Sequence, residues 1–329
     1  MWLWTASLAV AALLALFAAT RLLVRRAERR FPAQGRWITV QGVRVHVLER
    51  GAGPPLVLLH GAFGSAQDFA ATVLEEAARH YRVIAVDRPG HGYSQRGRRP
   101  MGTPQEQARL LHDTLRALGV QRPVLAGFSW GGSLALAYAL AYPEDTAAVV
   151  LLAGASHPWP TPTSQLYVLP TVPVLGTLAL HTVVMPLGLR LAWASMVNVC
   201  VPRTVPAPFA RSPVPLSLRP HSFAANAQDI RQLKEALRLQ CRGYGELTMP
   251  VEILHGDRDR VVGLKIHARA LHAQVPGSAL TVLADCGHQL LYCEPGQVLA
   301  AIHRAFARVQ PGAEAAPELA PAPPPRAAD

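Results

Sequence analysis

A hydroxyl becomes a nucleophile near neutral pH only when a base stands ready to take its proton and an acid holds that base in place. The chain offers three such groups in order: Ser129 in LAGFSWGG, an aspartate in LHGDRDRVV, and His288 in ADCGH. Gly127 stands two residues before Ser129 and Gly131 two after, with Gly132 adding room. That spacing fits a nucleophile elbow, a strand-to-helix turn so sharp that both flanking positions must be nearly free of side chain. The plainer reading is a serine N-cap at a glycine-rich helix start. The apolar PVLAGF before it and the helical SLALAYALAYPE after it supply the elbow's context instead. With 13 histidines available, a histidine alone proves nothing. His288 stands apart because it follows the last strand expected below. His60, His91 and His255 lie at strand ends or in tight glycine loops and are expected to fill structural hydrogen bonds. Of the two aspartates, Asp259 lies farther into its loop and is the expected acid, while Asp257 is expected to tie the turn together. Acyl transfer also needs backbone N–H groups where negative charge develops. Trp130, just after the serine, should give one; Ala62 in HGAFGS should give the other, with Phe63 the alternative.

These residues need a scaffold, and the hydropathy pattern describes one. Residues 37–49 alternate as two strands around Gln41-Gly42, a hairpin. Short, mostly apolar runs follow at 55–61, 82–87, 123–128, 147–154, 251–256 and 279–284. Helical patterns lie between and after them: from HGAFGS to His80, from Thr103 (N-cap) and Pro104 to Leu118, after Ser129, near 265–274, and, beyond the last strand, a final one to about Val309. Continuous apolar strands alternating with helices predict a mostly parallel sheet covered on both faces. Ser129, the aspartates and His288 all follow strand ends, the edge where open α/β sheets build their sites.

Taken together, HGAFGS, DRPGHGYS, GFSWGG, LHGDRDRVV and CGHQLLYCEPGQV, in this order, resemble the α/β-hydrolase superfamily. The resemblance covers residues 36–308. It implies the α/β-hydrolase fold with a helical cap insertion, and Ser129, Asp259 and His288 as nucleophile, acid and base. Haloalkane dehalogenases and epoxide hydrolases of this superfamily use an aspartate nucleophile, which is lacking here. The stretch SWGGSLALAYALAYPE is also similar to proline iminopeptidases. HGAFG departs from their HGGPG type, and no Asp or Glu occurs from Ser156 to Gln228 to receive a free amino terminus.

Segments outside the core add a location. Residues 2–20 carry no charge and are long enough for a transmembrane helix. Arg21, Arg25, Arg26, Arg29 and Arg30 follow, which predicts an N-terminal anchor over residues 1–30 with a cytoplasmic body. A cleaved signal peptide is disfavoured because no basic stretch precedes the apolar run. The Pro/Ala-rich residues 310–329 read as a disordered tail. The expected domains are then hydrolase core over 36–155, a cap over 156–247, and core again over 248–309.

Composition bounds the partners. The net charge of +11 is almost all arginine, Lys234 and Lys265 being the only lysines, and no aromatic-interleaved basic repeat suggests nucleic acid. The four cysteines are spread along the chain and fit reduced thiols. No HExxH or paired-cysteine set appears, so neither metal nor organic cofactor is expected. In the cap, LYVLPTVPVLGTLALHTVVMPLGL lacks charge and is broken by prolines, which fits a Pro-kinked helical cap whose apolar face packs on the core or, in a sharper reading, one that also touches a bilayer. The expected reaction is hydrolysis of lipophilic carboxylic esters. Amide, thioester and C–C hydrolysis use the same three groups, and a non-catalytic scaffold of the fold is the rival from another class.

Overall fold

A strand whose every residue is apolar needs cover on both faces, and the sheet meets that demand strand by strand. In the computed structural model, which describes residues 2–309, eight strands form one sheet in the order β1-β2-β4-β3-β5-β6-β7-β8. These are β1 (Arg36–Val40), β2 (Val43–Arg50), β3 (Pro55–Leu59), β4 (Arg82–Val86), β5 (Val124–Phe128), β6 (Ala148–Leu152), β7 (Val251–Gly256) and β8 (Ala279–Leu283). The first two form the expected antiparallel hairpin, β2 pairs antiparallel with β4, and every later pairing is parallel. Alternate residues of one strand enter opposite cores. Val57 and Leu59 of β3 join one, and Leu56 and Leu58 the other.

The main helices are α1 (Trp2–Arg30), α2 (Pro104–Ala117), α3 (Trp130–Ala141), α4 (Leu175–Thr182), α5 (Val184–Cys200), α6 (Pro220–Gln240) and α7 (Pro295–Val309). On one face of the sheet, Leu110, Leu111 and Leu115 of α2 pack with Leu134 and Tyr138 of α3. On the other, Ile302 and Phe306 of α7 pack with Phe69 and Leu74. Helix α2 begins as its sequence dictates: Thr103 accepts from the Glu106 N–H at 3.2 Å, the Glu106 carboxylate accepts from the Thr103 N–H at 2.9 Å, and Pro104 opens the first turn. The helix expected up to His80 is instead two short ones, Ala66–Ala70 and Leu74–Ala77. The break holds Thr72 and Val73, whose β-branched side chains resist helix, and the Thr72 hydroxyl turns back to the Asp68 carbonyl at 2.8 Å.

Between β6 and β7 lies an inserted segment of about a hundred residues, 153–250, made of helices and turns. Helices α4 and α5 meet at a 65° bend at Val183. Pro186 stands in the first turn of α5, where its missing N–H costs nothing, so the chain bends before it and not at it. Helix α6 is the strut of the insertion, with a stripe of buried polar residues along one side. At its N-terminus Arg219 pairs with Glu28 of α1 at 3.0 Å. Farther along, Asn226 and Asp229 reach the core loops, and Gln240 donates to the Ser133 carbonyl of α3 at 2.9 Å.

Asp229 carries the largest electrostatic commitment. Its side chain is fully buried and meets the fully buried Arg88 at 2.6 Å and Arg96 at 2.8 Å. Removing the carboxylate while leaving the Arg88 charge buried should cost about 3–5 kcal/mol. Asp229→Ala is therefore expected to lower the melting temperature by roughly 10 °C, read by circular dichroism, whereas Glu235→Ala on the exposed side of α6 should change it little.

Candidate active site

The site grows from the carboxyl ends of β3, β4, β5 and β7 and from the loop after β8. Strand β5 runs through Gly127 into Ser129 and on into α3 with no spacer. Ser129 sits at φ 53°, ψ −117°, a strained backbone that its surroundings must impose. The two glycines explain how the turn closes. A Cβ on Gly127 would lie 2.3 Å from the Gly131 carbonyl oxygen, and one on Gly131 would lie 2.1 Å from the Leu59 carbonyl oxygen. The Ser129 N–H donates to the Leu152 carbonyl at 2.9 Å, and its own carbonyl accepts from Gly132 and Ala155. The turn is thus locked to β6 as well as to its own strand.

Ser129 Oγ lies 3.0 Å from His288 Nε2, and His288 Nδ1 lies 2.8 Å from Asp259 Oδ2. With its proton on Nδ1, the neutral imidazole donates to the carboxylate and accepts from the serine. The other carboxylate oxygen of Asp259 accepts from the N–H groups of Val261 and Val262, both at 2.8 Å. Burial works to raise the Asp259 pKa. The His288 charge and the hydrogen bonds from His255 and His288 outweigh it and hold the carboxyl well below its usual range. Asp257 does not reach His288. Its carboxylate accepts from the Cys286 N–H at 3.3 Å and lies by Arg258, tying the loops after β7 and β8 together.

The other histidines at strand ends have partners of their own. His60 donates from Nδ1 to the Gly61 carbonyl at 2.8 Å and accepts from the Arg88 N–H at 2.9 Å. Burial, then the Arg88 charge, pushes its pKa down to about 3, so it is a poor base. His91 spans the Pro89 carbonyl and Arg88. His255 donates to the Val262 carbonyl at 2.7 Å and also lies 3.3 Å from Asp259 Oδ2, a second imidazole on the same carboxylate. His267 accepts from the N–H groups of Ser156 and His157, and burial pushes its pKa down to about 3.

In the loop after β3, Gly61 abuts the elbow so closely that a Cβ there would come within 2.9 Å of Ser129 Cβ. The N–H of Phe63 is already given to Asn226 Oδ1 at 2.7 Å. Of the two residues considered in this loop, Ala62 is therefore the one whose N–H that bond leaves available beside Trp130. Neither Asn226 nor Arg88 stood out in the sequence. Arg88 stacks 4.0 Å over the Trp130 ring and donates to the carbonyls of His60 at 3.1 Å and Gly61 at 3.2 Å. A signal for Asn226 and Asp229 existed: polar residues three apart on a helix whose neighbouring turns bury Phe223, Leu233 and Leu237.

Ser129, Asp259 and His288 are only 9%, 8% and 7% exposed, so little of the site faces open solvent. Phe128 lies 5.1 Å from the His288 ring, and Phe63 packs edge-on against Phe223 and beside Tyr167 of the insertion. The last turn of α5 seats on the His288 loop: the Gln289 N–H donates to the Val199 carbonyl at 3.0 Å. It also brings Cys200 within 4.0 Å of Cys293, two unbridged thiols that are 93 residues apart in sequence. No grouping of three or more His, Cys, Asp or Glu suited to a metal occurs among the described residues.

Comparison with known proteins agrees with this architecture. Over 277 residues the chain is 29% identical to the 2-hydroxy-6-oxo-2,4-heptadienoate hydrolase of Pseudomonas putida, covering 77% of this chain and 89% of that one. A 2-hydroxymuconate semialdehyde hydrolase of Pseudomonas putida is 28% identical over 276 residues, covering 80% and 90%. A thermophilic esterase from Thermogutta terrifontis superimposes with a TM-score of 0.66 at 23% identity, over 84% of this chain and 99% of that one, a likeness of fold alone. Residues 54–295, most of the chain, match the family described as the alpha/beta hydrolase fold, and the protein belongs to that family.

Proposed function

We propose that the protein is a membrane-anchored serine hydrolase that cleaves carboxylic esters with lipophilic acyl groups. The observation that carries this reading is the unbroken chain from Ser129 Oγ through His288 to the ionised Asp259. His288 takes the Ser129 proton as the oxygen attacks the acyl carbon, and the N–H groups of Trp130 and Ala62 receive the oxyanion. The imidazolium, stabilised by Asp259, gives that proton to the leaving alcohol. Water then attacks the acyl-serine with His288 again as base, releasing the acid and restoring the serine.

The preference for neutral, lipophilic substrate rests on the aromatic rings packed at His288 and at the loop after β3, and on the matching of the buried cations. Phe63, Phe128, Tyr167 and Phe223 are aromatic. The buried Arg88 is matched by Asp229, and the buried Arg219 by Glu28. Asp229, the first acid of the insertion, is spoken for by two guanidiniums, so it offers nothing to the free amino group an iminopeptidase would bind. Helix α1 is long and apolar enough to cross a membrane, and its arginine flank favours a cytoplasmic body with residues 156–247 as the cap. A second reading, hydrolytic C–C cleavage, is favoured by the names of the two Pseudomonas relatives.

Turnover of p-nitrophenyl esters should rise with acyl length and fall at least about a thousandfold in Ser129→Ala. A wild-type protein that is labelled at Ser129 by a fluorophosphonate yet hydrolyses no ester of any length would move the reaction to C–C, amide or thioester bonds. Asp259→Asn should lower kcat by about four orders of magnitude with the fold intact, because the imidazole loses its orienting acceptor. Asp257→Asn should stay near wild type, and the reverse ranking would move the acid to Asp257.

A further inference from the structure

Helix α1 is not a tether leading to a separate body. Its last turns are built into the insertion. Thr20 is buried and donates its hydroxyl to the Thr182 carbonyl at 2.9 Å, at the bend where α4 ends. Ala27, with Leu23 and Val24 beside it, shares a core with Leu180, Met185, Leu216 and Leu218 of the insertion. Phe17 lies against His181, and Glu28 holds Arg219. The preceding residues project: Trp4, Leu8 and Leu14 are all exposed.

The positions on α1 set a depth. Residues 2–20 span about 27 Å at helical rise, close to the roughly 30 Å hydrocarbon thickness. With that stretch in a bilayer, Thr20 comes to the boundary between acyl chains and headgroups, and it carries the bend at Thr182–Val183 there with it. The outward side of the insertion at this level is apolar. Val174 and Leu175 are 78% and 61% exposed, Leu187 and Leu191 are 52% and 53%, and Leu178 and Val183 join them. The charge matches an anionic headgroup layer. Arg21, Arg25, Arg26, Arg29 and Arg30 of α1 and Arg190 of α5 are exposed, and no carboxylate occurs from 156 to 228.

We infer that the outward face of α4 and α5 is a bilayer-docking surface that beds beside α1 into the acyl–headgroup boundary of an anionic membrane. Phe63, in the loop beside Ser129, shares the core that joins α1 to the insertion, which links the docked face to the site. This rests on the reading of α1 as a membrane helix, and its test separates the two.

The full chain is reconstituted in vesicles of phosphatidylcholine and phosphatidylglycerol, with and without bromine at shallow acyl positions, and floated on a density gradient. Leu187→Trp places a reporter on the exposed face, and Leu191→Trp serves if the first variant folds poorly. The added tryptophan's emission, taken as the difference from wild type, should fall about twofold in brominated vesicles, because interfacial helices bury their apolar face about 5–10 Å deep. Protein that floats with an unquenched reporter overturns the docking face and leaves the anchor standing. Unquenched emission combined with cross-linked dimers assigns the face to a second copy and overturns the inference as well. Protein that fails to float removes both readings at once.

Discussion

One buried charge holds the arrangement together. Arg88 leaves the end of β4 with no solvent around its guanidinium, so every proton on it must find an acceptor inside the protein. It finds them in four places far apart in sequence: the loop facing the serine turn at the His60 and Gly61 carbonyls, Gln107 of α2, His91 of its own loop, and Asp229 of the insertion. Its flat face rests on Trp130, the residue after Ser129. Burial lowers its pKa only to about 10, so the charge persists at neutral pH. The geometry of the serine turn and of the loop facing it is therefore fixed by one ion that cannot relocate.

Arg88 lies within DRPGHGYS, but its organising role was not legible in the sequence, and the reason is physical. The elbow was legible because steric exclusion leaves a compositional trace: Gly127 and Gly131 stand where carbonyl oxygens would strike any Cβ. The strands were legible because burial on both faces demands uninterrupted apolar runs, and β3, β5 and β6 have them. The choice of Asp259 over Asp257 rested on loop position alone, and the folded chain puts only Asp259 within reach of His288. Arg88 and Asp229, by contrast, are 141 residues apart, and nothing local marks either as a partner of the other. The choice between Ala62 and Phe63 had no side-chain signature, because it turns on which backbone N–H a distant asparagine occupies.

Water is scarce where the three side chains meet, and that changes what each hydrogen bond is worth. In a medium of low polarity an unpaired carboxylate is costly, which is why Asp259 is surrounded by two N–H groups and two imidazoles. The same enclosure makes the pairing between Asp259 and an imidazolium stronger than it would be in water. His255 shares that carboxylate without reaching the serine, so it shapes the acid from behind.

The salt bridge between Arg88 and Asp229 also bears on how this chain can be rebuilt by recombination. Insertions between the sixth and seventh strands are natural units for exchange, since both ends leave adjacent parallel strands. Here the exchangeable piece carries Asp229, the sole carboxylate among the described residues that pairs with Arg88, and the rest of the fold carries the guanidinium. A donor segment lacking an acid at the level of Asp229 would strand a cation against the Trp130 ring, next to Ser129. Modularity in this protein thus has a seam that runs through an ion pair, and a viable chimera must carry both halves of it.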